Sequence, residues 1–512
     1  MLNDPILIAL LLLQIFMGAF DTLFHHEMTQ RLGWSKGQQF ELRLHGVRNL
    51  IYAAVFLMLG LTAPAGAWAI ALMALLVIEL GITLVDFVEE DRVRLLPASE
   101  RVTHTLLTLN YGVVLALLLP KLFAAAQLPS ALPFVWQGWL ATFLALSALS
   151  VIIFGLRDLF AARRLDAMAE LGDDPAALAS ALPPQQRVLV AGGTGFVGSR
   201  LVEALVDAGH EVSVLTRSIS SARHLRHPVK LMNSLDWIAD EHPDGRPYFD
   251  AIINLAGASV AGGLWTAKRK QLILDSRAEV AQQLHDFCRR QISRPPVYIA
   301  ASAVGYYGDS GEAVIDEGST SGQGFAAESC REVEALADRF ALFGMRIVKL
   351  RIGMVLAHQG GLVAQLLLPF EFGAGGPIGN GRQWMSWIHR DDLVRAIVFC
   401  MARKEVSGAV NAVAPNPVRQ RDFARAFGRI LQRPAFMPLP TWLLKPLLGE
   451  MADDLFLASQ KALPVKLLFN GFRFRHGDID SALPAALGIA PPKAKRSVAA
   501  QSRQWKEARL LS

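Results

Sequence analysis

Long apolar runs alternate with short polar segments through the first 160 residues of the chain. Five runs approach or exceed the roughly 17–25 apolar residues that a helix needs to cross a bilayer. They occupy residues 5–24, 46–61, 67–88, 105–126 and 132–156, the second being the shortest. The first run has no basic start and no small-residue cleavage site, unlike a signal peptide. The pattern therefore predicts an N-terminal α-helical transmembrane bundle of about five spans.

A different pattern begins at residue 186, where short apolar runs of strand length alternate with runs of helix length. This alternation predicts an α/β Rossmann domain with a doubly wound parallel sheet. A polar segment rich in Pro and Gly lies between the two patterns and predicts a linker. The predicted domains are a transmembrane helical domain (1–160), a linker (161–185), a Rossmann domain (186–430), a small C-terminal substrate or cap domain (431–490) and a basic tail (491–512).

A glycine-rich turn follows the first predicted strand, and a predicted helix follows the turn. Glycines at three-residue spacing let the backbone turn tightly and approach a pyrophosphate, which the helix N-terminus attracts. A purely structural turn is the alternative. The strand before the turn and the strand after the helix favour a dinucleotide site. The predicted cofactor-binding residues here are Gly192, Gly193, Thr194, Gly195, Phe196, Val197 and Gly198.

The end of the second predicted strand carries Arg217 and Ser218 instead of an acidic residue. An Asp or Glu at this place binds the ribose 2′-hydroxyl of NAD, whereas an arginine suits the 2′-phosphate of NADP. NADP(H) is therefore the predicted cofactor, and a solvated arginine is the alternative. A third strand ends in small residues that a cofactor can pass closely, and these are also predicted to bind it: Asn254, Leu255, Ala256 and Gly257.

Several segments resemble the extended short-chain dehydrogenase/reductase superfamily. They read NLAG at 254–257, SAVGYYG at 302–308, GGPIGNGRQWMSWIHRDDL at 375–393 and GFRF at 471–474. Within that superfamily they are similar to the NAD-dependent epimerase/dehydratase-like, sugar epimerase-related subfamily with its small C-terminal domain. The resemblance covers about residues 186–490 and none of the membrane part. It implies hydride transfer between a nicotinamide and a carbonyl or alcohol carbon of a small-molecule substrate.

The resemblance also implies a catalytic trio of Ser or Thr, Tyr and, four residues later, Lys. Ser302 takes the first place, but no tyrosine and no lysine stand where the pair belongs. Tyr306, Tyr307 or Glu328 is the predicted replacement acid/base, and a packed aromatic side chain is the alternative for Tyr306.

A later segment is predicted to line the substrate through Arg382, Trp384 and Trp387. Arginine grips a phosphate or carboxylate, and tryptophan offers a flat face to a ring. His389 is predicted to cap a helix instead. The glycines between residues 373 and 381 predict a mobile loop over the site.

Charge sets the predicted orientation and limits the partners. Arginines cluster around residues 31–48, at 92–101 and after 156, whereas segments 62–66 and 127–133 have no Lys or Arg. The positive-inside rule then predicts a protein of a bacterial-type inner membrane, with the N-terminus outside and the Rossmann domain in the cytoplasm.

The net charge of the chain is +6, and the tail residues Lys493, Lys495 and Arg496 contribute part of it. Such a charge suits lipid headgroups better than nucleic acid. The three cysteines have no pairing or metal spacing and predict reduced thiols.

Acidic and histidine residues recur at four-residue spacing in the membrane part, so that each pair shares one helix face. Ionisable residues near a bilayer are functional candidates. Fe or another divalent metal is one interpretation, an ordinary salt-bridged boundary is a second, and haem is a third. The predicted metal ligands are His25, Glu41, His45, Asp86, Glu89, Glu100 and His104.

Three functions remain open on these grounds. The first is a membrane-tethered NADP(H)-dependent oxidoreductase or epimerase-like enzyme acting on a lipophilic or lipid-linked substrate. The second is a non-catalytic sensor of the NADPH/NADP ratio coupled to the membrane bundle. The third is NADPH-linked electron supply to a metal centre in the membrane.

Overall fold

The protein is described from a computed structural model that covers residues 4–35, 37–94, 96–170, 174–222, 224–226 and 228–489. Two compact units make up the chain, Met1–Gly172 and Asp173–Ser512. The predicted basic tail, with Lys493, Lys495 and Arg496, lies outside the described residues.

Five long helices form the first unit, in agreement with the five apolar runs in the sequence. They are α1 (Pro5–Phe20), α2 (Gln39–Leu61), α3 (Ala67–Val93), α4 (Ala98–Ala126) and α5 (Trp139–Glu170). Each lies in a helical segment long and apolar enough to cross a membrane, judged by length and composition. A π-helical segment, Asp21–Gln30, continues α1. Because α5 continues to Glu170, residues 161–170 of the predicted linker are helical instead.

Small residues allow α2 and α5 to pack closely. A Cβ atom on Gly46 would lie 2.6 Å from Cγ of Leu159 and 2.9 Å from the carbonyl oxygen of Gly155. Close approach through small residues is a common way for apolar helices to associate. Leucines such as Leu72 and Leu144 fill the interior, while apolar side chains such as Val77 point outward.

A seven-stranded parallel sheet is the centre of the second unit. Its strands are β1 (Arg187–Ala191), β2 (Glu211–Leu215), β3 (Lys230–Met232), β4 (Ala251–Asn254), β5 (Val297–Ala303), β7 (Arg346–Ile352) and β11 (Gly408–Ala412). They lie in the order β11-β7-β5-β4-β1-β2-β3. The chain reverses its direction of travel across the sheet after β3, which places a ligand crevice at the carboxyl ends of β1 and β4.

The short strands form three small ladders beside this sheet. They are β6 (Val314–Ile315) with β13 (Lys461–Ala462), β8 (Met354–Leu356) with β10 (Trp387–His389), and β9 (Trp384–Met385) with β12 (Val418–Arg419).

Helices cover both faces of the sheet. They are α6 (Gly198–Asp207), α7 (Ala267–Arg290), α8 (Phe325–Asp338), α9 (Gly361–Glu371), α10 (Arg390–Ala402), α11 (Gln420–Leu431), α12 (Thr441–Leu448), α13 (Val465–Phe469) and α14 (Ile479–Ala486). Alternate residues of β1 enter different cores, Val188 and Val190 on one side and Leu189 and Ala191 on the other. A sheet buried on both faces is typical of doubly wound folds. The three cysteines are buried free thiols, as predicted.

Candidate cofactor and active site

The glycine-rich turn joins β1 to α6 in the conformation that the sequence requires. Gly192 has a positive φ of 80°. A Cβ atom on Gly198 would lie 2.2 Å from the carbonyl oxygen of Gly192, so only glycine fits there. No side chain caps the N-terminus of α6. The turn therefore presents an open helix N-terminus of the kind that binds phosphate groups.

Arg217 and Ser218 are both exposed beyond the end of β2. Ser218 lies 2.8 Å from Ser220, hydroxyl to hydroxyl. Arg217 has no salt-bridge partner among the described residues, and an exposed arginine of this kind is free to take up an anion.

The NLAG segment closes the crevice on its other side. The Asn254 side chain serves the protein itself, because its amide donates to the Tyr298 hydroxyl at 3.0 Å and its oxygen accepts from the Ala256 backbone at 3.1 Å. Leu255 and Ala256 are close neighbours of Gly192, whose added Cβ would lie 2.7 Å from the Leu255 carbonyl carbon. The segment therefore packs directly against the cofactor turn.

Ser302 lies near the carboxyl end of β5 and donates its hydroxyl proton to Glu334 at 2.9 Å. Glu334 in turn forms a bidentate ion pair with Arg351 on β7, with N···O distances of 2.8 and 2.9 Å. Burial acts to lower the pKa of Arg351, but hydrogen bonds with Glu334 and Tyr307 raise it above its ordinary value. The permanent positive charge of Arg351 is thus linked to Ser302 through one side chain, that of Glu334.

The two neighbouring tyrosines have different environments. Tyr307 is buried, and its hydroxyl bonds to Asn411, Arg351 and the carbonyl of Asp316 at 2.7, 2.9 and 2.9 Å. Burial raises its pKa to about 12. Tyr306 is half-buried, and the Arg351 guanidinium lies 3.5 Å from its ring centroid. Its hydroxyl makes no hydrogen bond within the described part of the chain.

Glu328, the other predicted acid/base, lies on an exposed position of α8. The chain has no tyrosine after Tyr307. Of the four predicted catalytic residues, Ser302, Tyr306 and Tyr307 therefore lie together around Arg351, while Glu328 points to solvent.

The predicted substrate residues divide between surface and core. Arg382 is exposed. The Trp384 ring lies between Arg419 and Lys461, whose charged groups are 4.1 and 4.6 Å from its centroid. Trp387 is fully buried and donates its indole N–H to the Asn416 carbonyl, so it forms part of the core and does not line an accessible site.

His389 caps α10 as predicted, because its Nδ1 accepts the backbone N–H of Asp391 at 3.2 Å. Burial lowers its pKa to about 4, and the neighbouring His476 adds to this effect. The glycine loop before His389 is bonded to the segment around Leu439. The backbone N–H of Gly379 donates to the Leu439 carbonyl, and the N–H of Leu439 donates to the Pro377 carbonyl, both at 2.8 Å. Two backbone hydrogen bonds thus hold the loop at this point, and its mobility stays a prediction.

In the first unit, two predicted metal ligands, His25 and Glu89, lie outside the groups of ligand-type side chains, and the residues that follow them, His26 and Glu90, lie inside. His25 bonds to Asp21 and Ser99, whereas His26 faces the other acidic residues. Glu89 pairs with Arg92, whereas Glu90 faces inward. Successive residues of an α-helix point about 100° apart, which explains why adjacent side chains such as Glu89 and Glu90 have different partners.

Two groups of ligand-type side chains result in the first unit. One contains His26, Glu90, Glu100 and His104, and the other contains Glu41, His45 and Glu90. Asp86 is a hydrogen-bond partner of His45 and Arg48 instead.

Sequence reasoning missed Glu334, Arg351 and Asn411 in the second unit. Arg351 is buried on a central strand, which is unusual for a charge and marks it as paired. That buried charge was the only available signal, because the partner lies 17 residues away along the chain.

The second unit is similar to known proteins along most of its length. Residues 188–413 match the NAD dependent epimerase/dehydratase family, and residues 439–486 match a domain of unknown function, DUF1731. The chloroplastic epimerase family protein SDR39U1 homolog of Arabidopsis thaliana is 39% identical over 308 residues, covering 59% of this chain and 87% of that protein. The epimerase family protein YfhF of Bacillus subtilis is 37% identical over 299 residues, covering 58% of this chain and 96% of that protein.

A solved structure agrees with this match. The crystal structure of the human epimerase family protein SDR39U1 with NADPH is 32% identical, with a TM-score of 0.53, and covers 59% of this chain and 99% of that chain. The fold is thus an NAD(P)-binding Rossmann domain of the oxidoreductase type. With its glycine turn and its DUF1731 segment, this chain belongs to the NAD dependent epimerase/dehydratase family.

Proposed function

We propose that the protein is a membrane-tethered, NADP(H)-dependent oxidoreductase that interconverts a carbonyl and an alcohol. The observation that carries the proposal is the open N-terminus of α6 together with the exposed Arg217 beyond β2, which has no salt-bridge partner among the described residues. A turn without a side-chain cap suits the pyrophosphate, and a free arginine suits the 2′-phosphate. The human relative whose structure contains NADPH supports the same choice of cofactor.

Bound NADPH supplies the hydride that reduces the carbonyl carbon. The residues of this chain then have two tasks, to orient the substrate oxygen and to give it a proton. Ser302 is suited to the first task, because Glu334 holds its hydroxyl in place at the end of β5.

Tyr306 is suited to the second task better than Tyr307. The Tyr307 hydroxyl is committed to Asn411 and Arg351, and burial keeps it protonated. The Tyr306 ring is held by the Arg351 guanidinium, and its hydroxyl has no partner within the described residues. In reduction, the Tyr306 O–H bond breaks as its proton passes to the substrate oxygen, and solvent returns a proton to the phenolate.

The proposed substrate carries an anionic group and is lipophilic or lipid-linked. Arg382 is exposed and therefore accessible to an anion, and the half-buried Trp384 ring, which Arg419 and Lys461 contact, adds a partly apolar surface two residues later. The five long apolar helices of the first unit support a membrane location, which gives such a substrate access from the bilayer.

The test is NADPH oxidation by the full-length protein in lipid nanodiscs, supplied with carbonyl-bearing fractions of a membrane lipid extract. We expect Tyr306→Phe to lower turnover by about 10²–10⁴-fold, the usual contribution of general acid–base catalysis. NADPH binding should be unchanged. The matched control is Tyr248→Phe, because this change removes only the hydroxyl, which donates to the Glu241 carbonyl, and keeps the ring. Wild-type turnover in the Tyr306 variant would refute the assigned proton donor.

A second candidate is a sensor of the NADPH/NADP ratio. It is favoured by the absence of the Tyr–Lys pair of the wider superfamily from this sequence. The variant with Ser302→Ala and Tyr306→Phe separates the candidates in cells that lack the native protein. A sensor keeps its cellular function in this variant, whereas an enzyme loses it.

A further inference from the structure

Six ligand-type side chains converge from four helical segments in the first unit. His26 comes from the π-helical segment after α1, Glu41 and His45 from α2, Glu90 from α3, and Glu100 and His104 from α4. The ligand atoms lie within 4.8 Å of one another in each of the two groups defined above. Glu90 belongs to both groups, and no other residue does.

Three ligand atoms in this cluster are buried without a hydrogen-bond partner. They are Nε2 of His26, Oε2 of Glu41 and Oε2 of Glu90. These side chains are only 6%, 1% and 1% exposed. Buried polar atoms are nearly always hydrogen-bonded, and here Nε2 of His26 and Oε2 of Glu90 have only long ion-pair contacts, with Asp21 at 3.5 Å and His104 at 3.4 Å. Three such atoms at one place require an explanation. Arg94 does not supply it, because it bonds to Oε1 of Glu41 and Oε1 of Glu90.

Two aspartates orient the histidines of the cluster. Asp86 lies 3.0 Å from Nε2 of His45, and Asp21 lies 3.1 Å from Nε2 of His104. Each aspartate therefore fixes the proton on Nε2 and leaves Nδ1 as an acceptor. The Nδ1 atom of His104 lies 3.4 Å from Oε2 of Glu90, so two acceptors face each other there, an arrangement that a cation between them stabilises. A carboxylate behind a histidine is the usual support of a metal ligand in proteins.

The charges around the cluster do not balance. Five carboxylates are buried there, from Asp21, Glu41, Asp86, Glu90 and Glu100. Among the described residues, two guanidinium groups pair with them, those of Arg48 and Arg94. The cluster thus has an excess of three negative charges if the histidines are neutral. Buried charge without compensation is costly, so this place requires either protons on His45 and His104, which face Asp86 and Asp21, or bound cations.

We propose that this cluster binds two transition-metal ions, with the Glu90 carboxylate bridging them. One ion is held by His26, Glu100 and His104, and the other by Glu41 and His45. Imidazole and carboxylate ligands together suit iron, manganese or zinc. Helical bundles build dinuclear sites from the same ligand types on facing helices.

The test uses untagged, full-length protein purified in detergent, with its metal content measured by mass spectrometry. After chelation, Co²⁺ is titrated anaerobically and followed by its visible absorption bands. We expect about two metal ions per chain as isolated and saturation of the cobalt bands at two equivalents. One equivalent would overturn the dinuclear site, and no bound cobalt would overturn the metal site altogether.

Two matched pairs of variants locate the ions. Glu90→Gln is compared with Glu89→Gln, and His26→Gln with His25→Gln, so that each control changes the adjacent residue of the same helix. We expect the Glu90 and His26 variants to bind cobalt at least tenfold more weakly than their controls. Equal binding within both pairs would overturn the assignment. The second pair keeps the test valid if the Glu90 variant does not fold, which circular dichroism reports.

Discussion

Glu334 and Arg351 form a buried bidentate ion pair directly behind the Ser302 hydroxyl. The pair joins α8 to β7, and the arginine also reaches Tyr307. A charged group therefore lies beside the serine although the Tyr–Lys pair of the wider superfamily is missing. This pair has consequences for stability that can be measured.

Breaking the pair should destabilise the second unit strongly. Arg351→Met leaves the buried Glu334 with the Ser302 hydrogen bond but without its charged partner, which typically costs about 3–5 kcal/mol. The matched control is Lys349→Met on the same strand, because its partner Asp338 is 58% exposed and such pairs contribute about 1 kcal/mol or less. Urea unfolding of the full-length protein in detergent, followed by tryptophan fluorescence, measures both. Similar losses in the two variants would contradict the structural role of the pair.

Arg217 should determine the choice between NADPH and NADH. Arg217→Ala removes the guanidinium that we propose to bind the 2′-phosphate through charged hydrogen bonds, each worth about 1.5–3 kcal/mol. We expect the Kd for NADPH to rise about 10- to 100-fold while the Kd for NADH stays the same. Titration of the nicotinamide fluorescence measures both constants. Arg289→Ala, at the exposed end of α7, is the control and should leave both unchanged. An equal effect on the two cofactors would show that Arg217 does not contact the 2′-phosphate.

Gly198→Ala should abolish cofactor binding by deforming the turn. The added Cβ would lie 2.2 Å from the carbonyl oxygen of Gly192, a contact that forces the backbone to move. Overpacking of this kind costs roughly 1–3 kcal/mol in stability. Gly318→Ala is the control, because its added Cβ would meet only Asp316 Oδ1 at 3.5 Å. Equilibrium dialysis with NADPH gives the comparison, and normal binding in the Gly198 variant would refute the turn as the cofactor site.

Acid should destabilise the second unit through His389. Its folded pKa of about 4 lies below the ordinary value of 6.5, so the unfolded chain binds the proton more readily. The stabilising contribution is present above pH 6.5 and is lost as the pH falls from 6.5 to 4, by roughly 3 kcal/mol.

The variant His389→Asn keeps a side chain able to cap α10 and removes this titration. Its free energy of unfolding should therefore fall less steeply between pH 6.5 and 4 than that of the wild type. His476 and Asp391 remain in both proteins, so the difference in slope isolates His389. Identical slopes would show that its buried, neutral form does not limit stability.

The predicted orientation can be tested with single cysteines in intact cells. Gln127→Cys lies after α4 in a segment predicted outside, and Thr320→Cys lies on an exposed position of the second unit. We expect a membrane-impermeant maleimide to label only the first variant until the cells are lysed. Labelling of Thr320→Cys in intact cells would show that the orientation is the opposite of the predicted one.

The order of apolar and polar residues along the chain was sufficient to predict the main helices and strands of both units. The five apolar runs correspond to five long helices, and the strand–turn–helix around Gly192 folds as predicted. Local features decide these elements, since helix length, strand burial and glycine turns depend on residues a few positions apart. The resemblance to the epimerase/dehydratase family was also visible in the sequence, because short segments such as residues 254–257 and 302–308 carry it.

Which side chains meet was decided by tertiary structure alone. The sequence offered His25 beside His26 and Glu89 beside Glu90, and only helix packing placed His26 and Glu90 in the ligand-type groups. It placed Trp387 on the substrate side, whereas the sheet buried it completely. Glu334 found Arg351 through the packing of α8 on β7. The sequence by itself thus determined the elements and the cofactor turn, because these depend on local backbone preference. The tertiary structure decided the ion pair and the metal-type cluster, because these depend on which faces pack together.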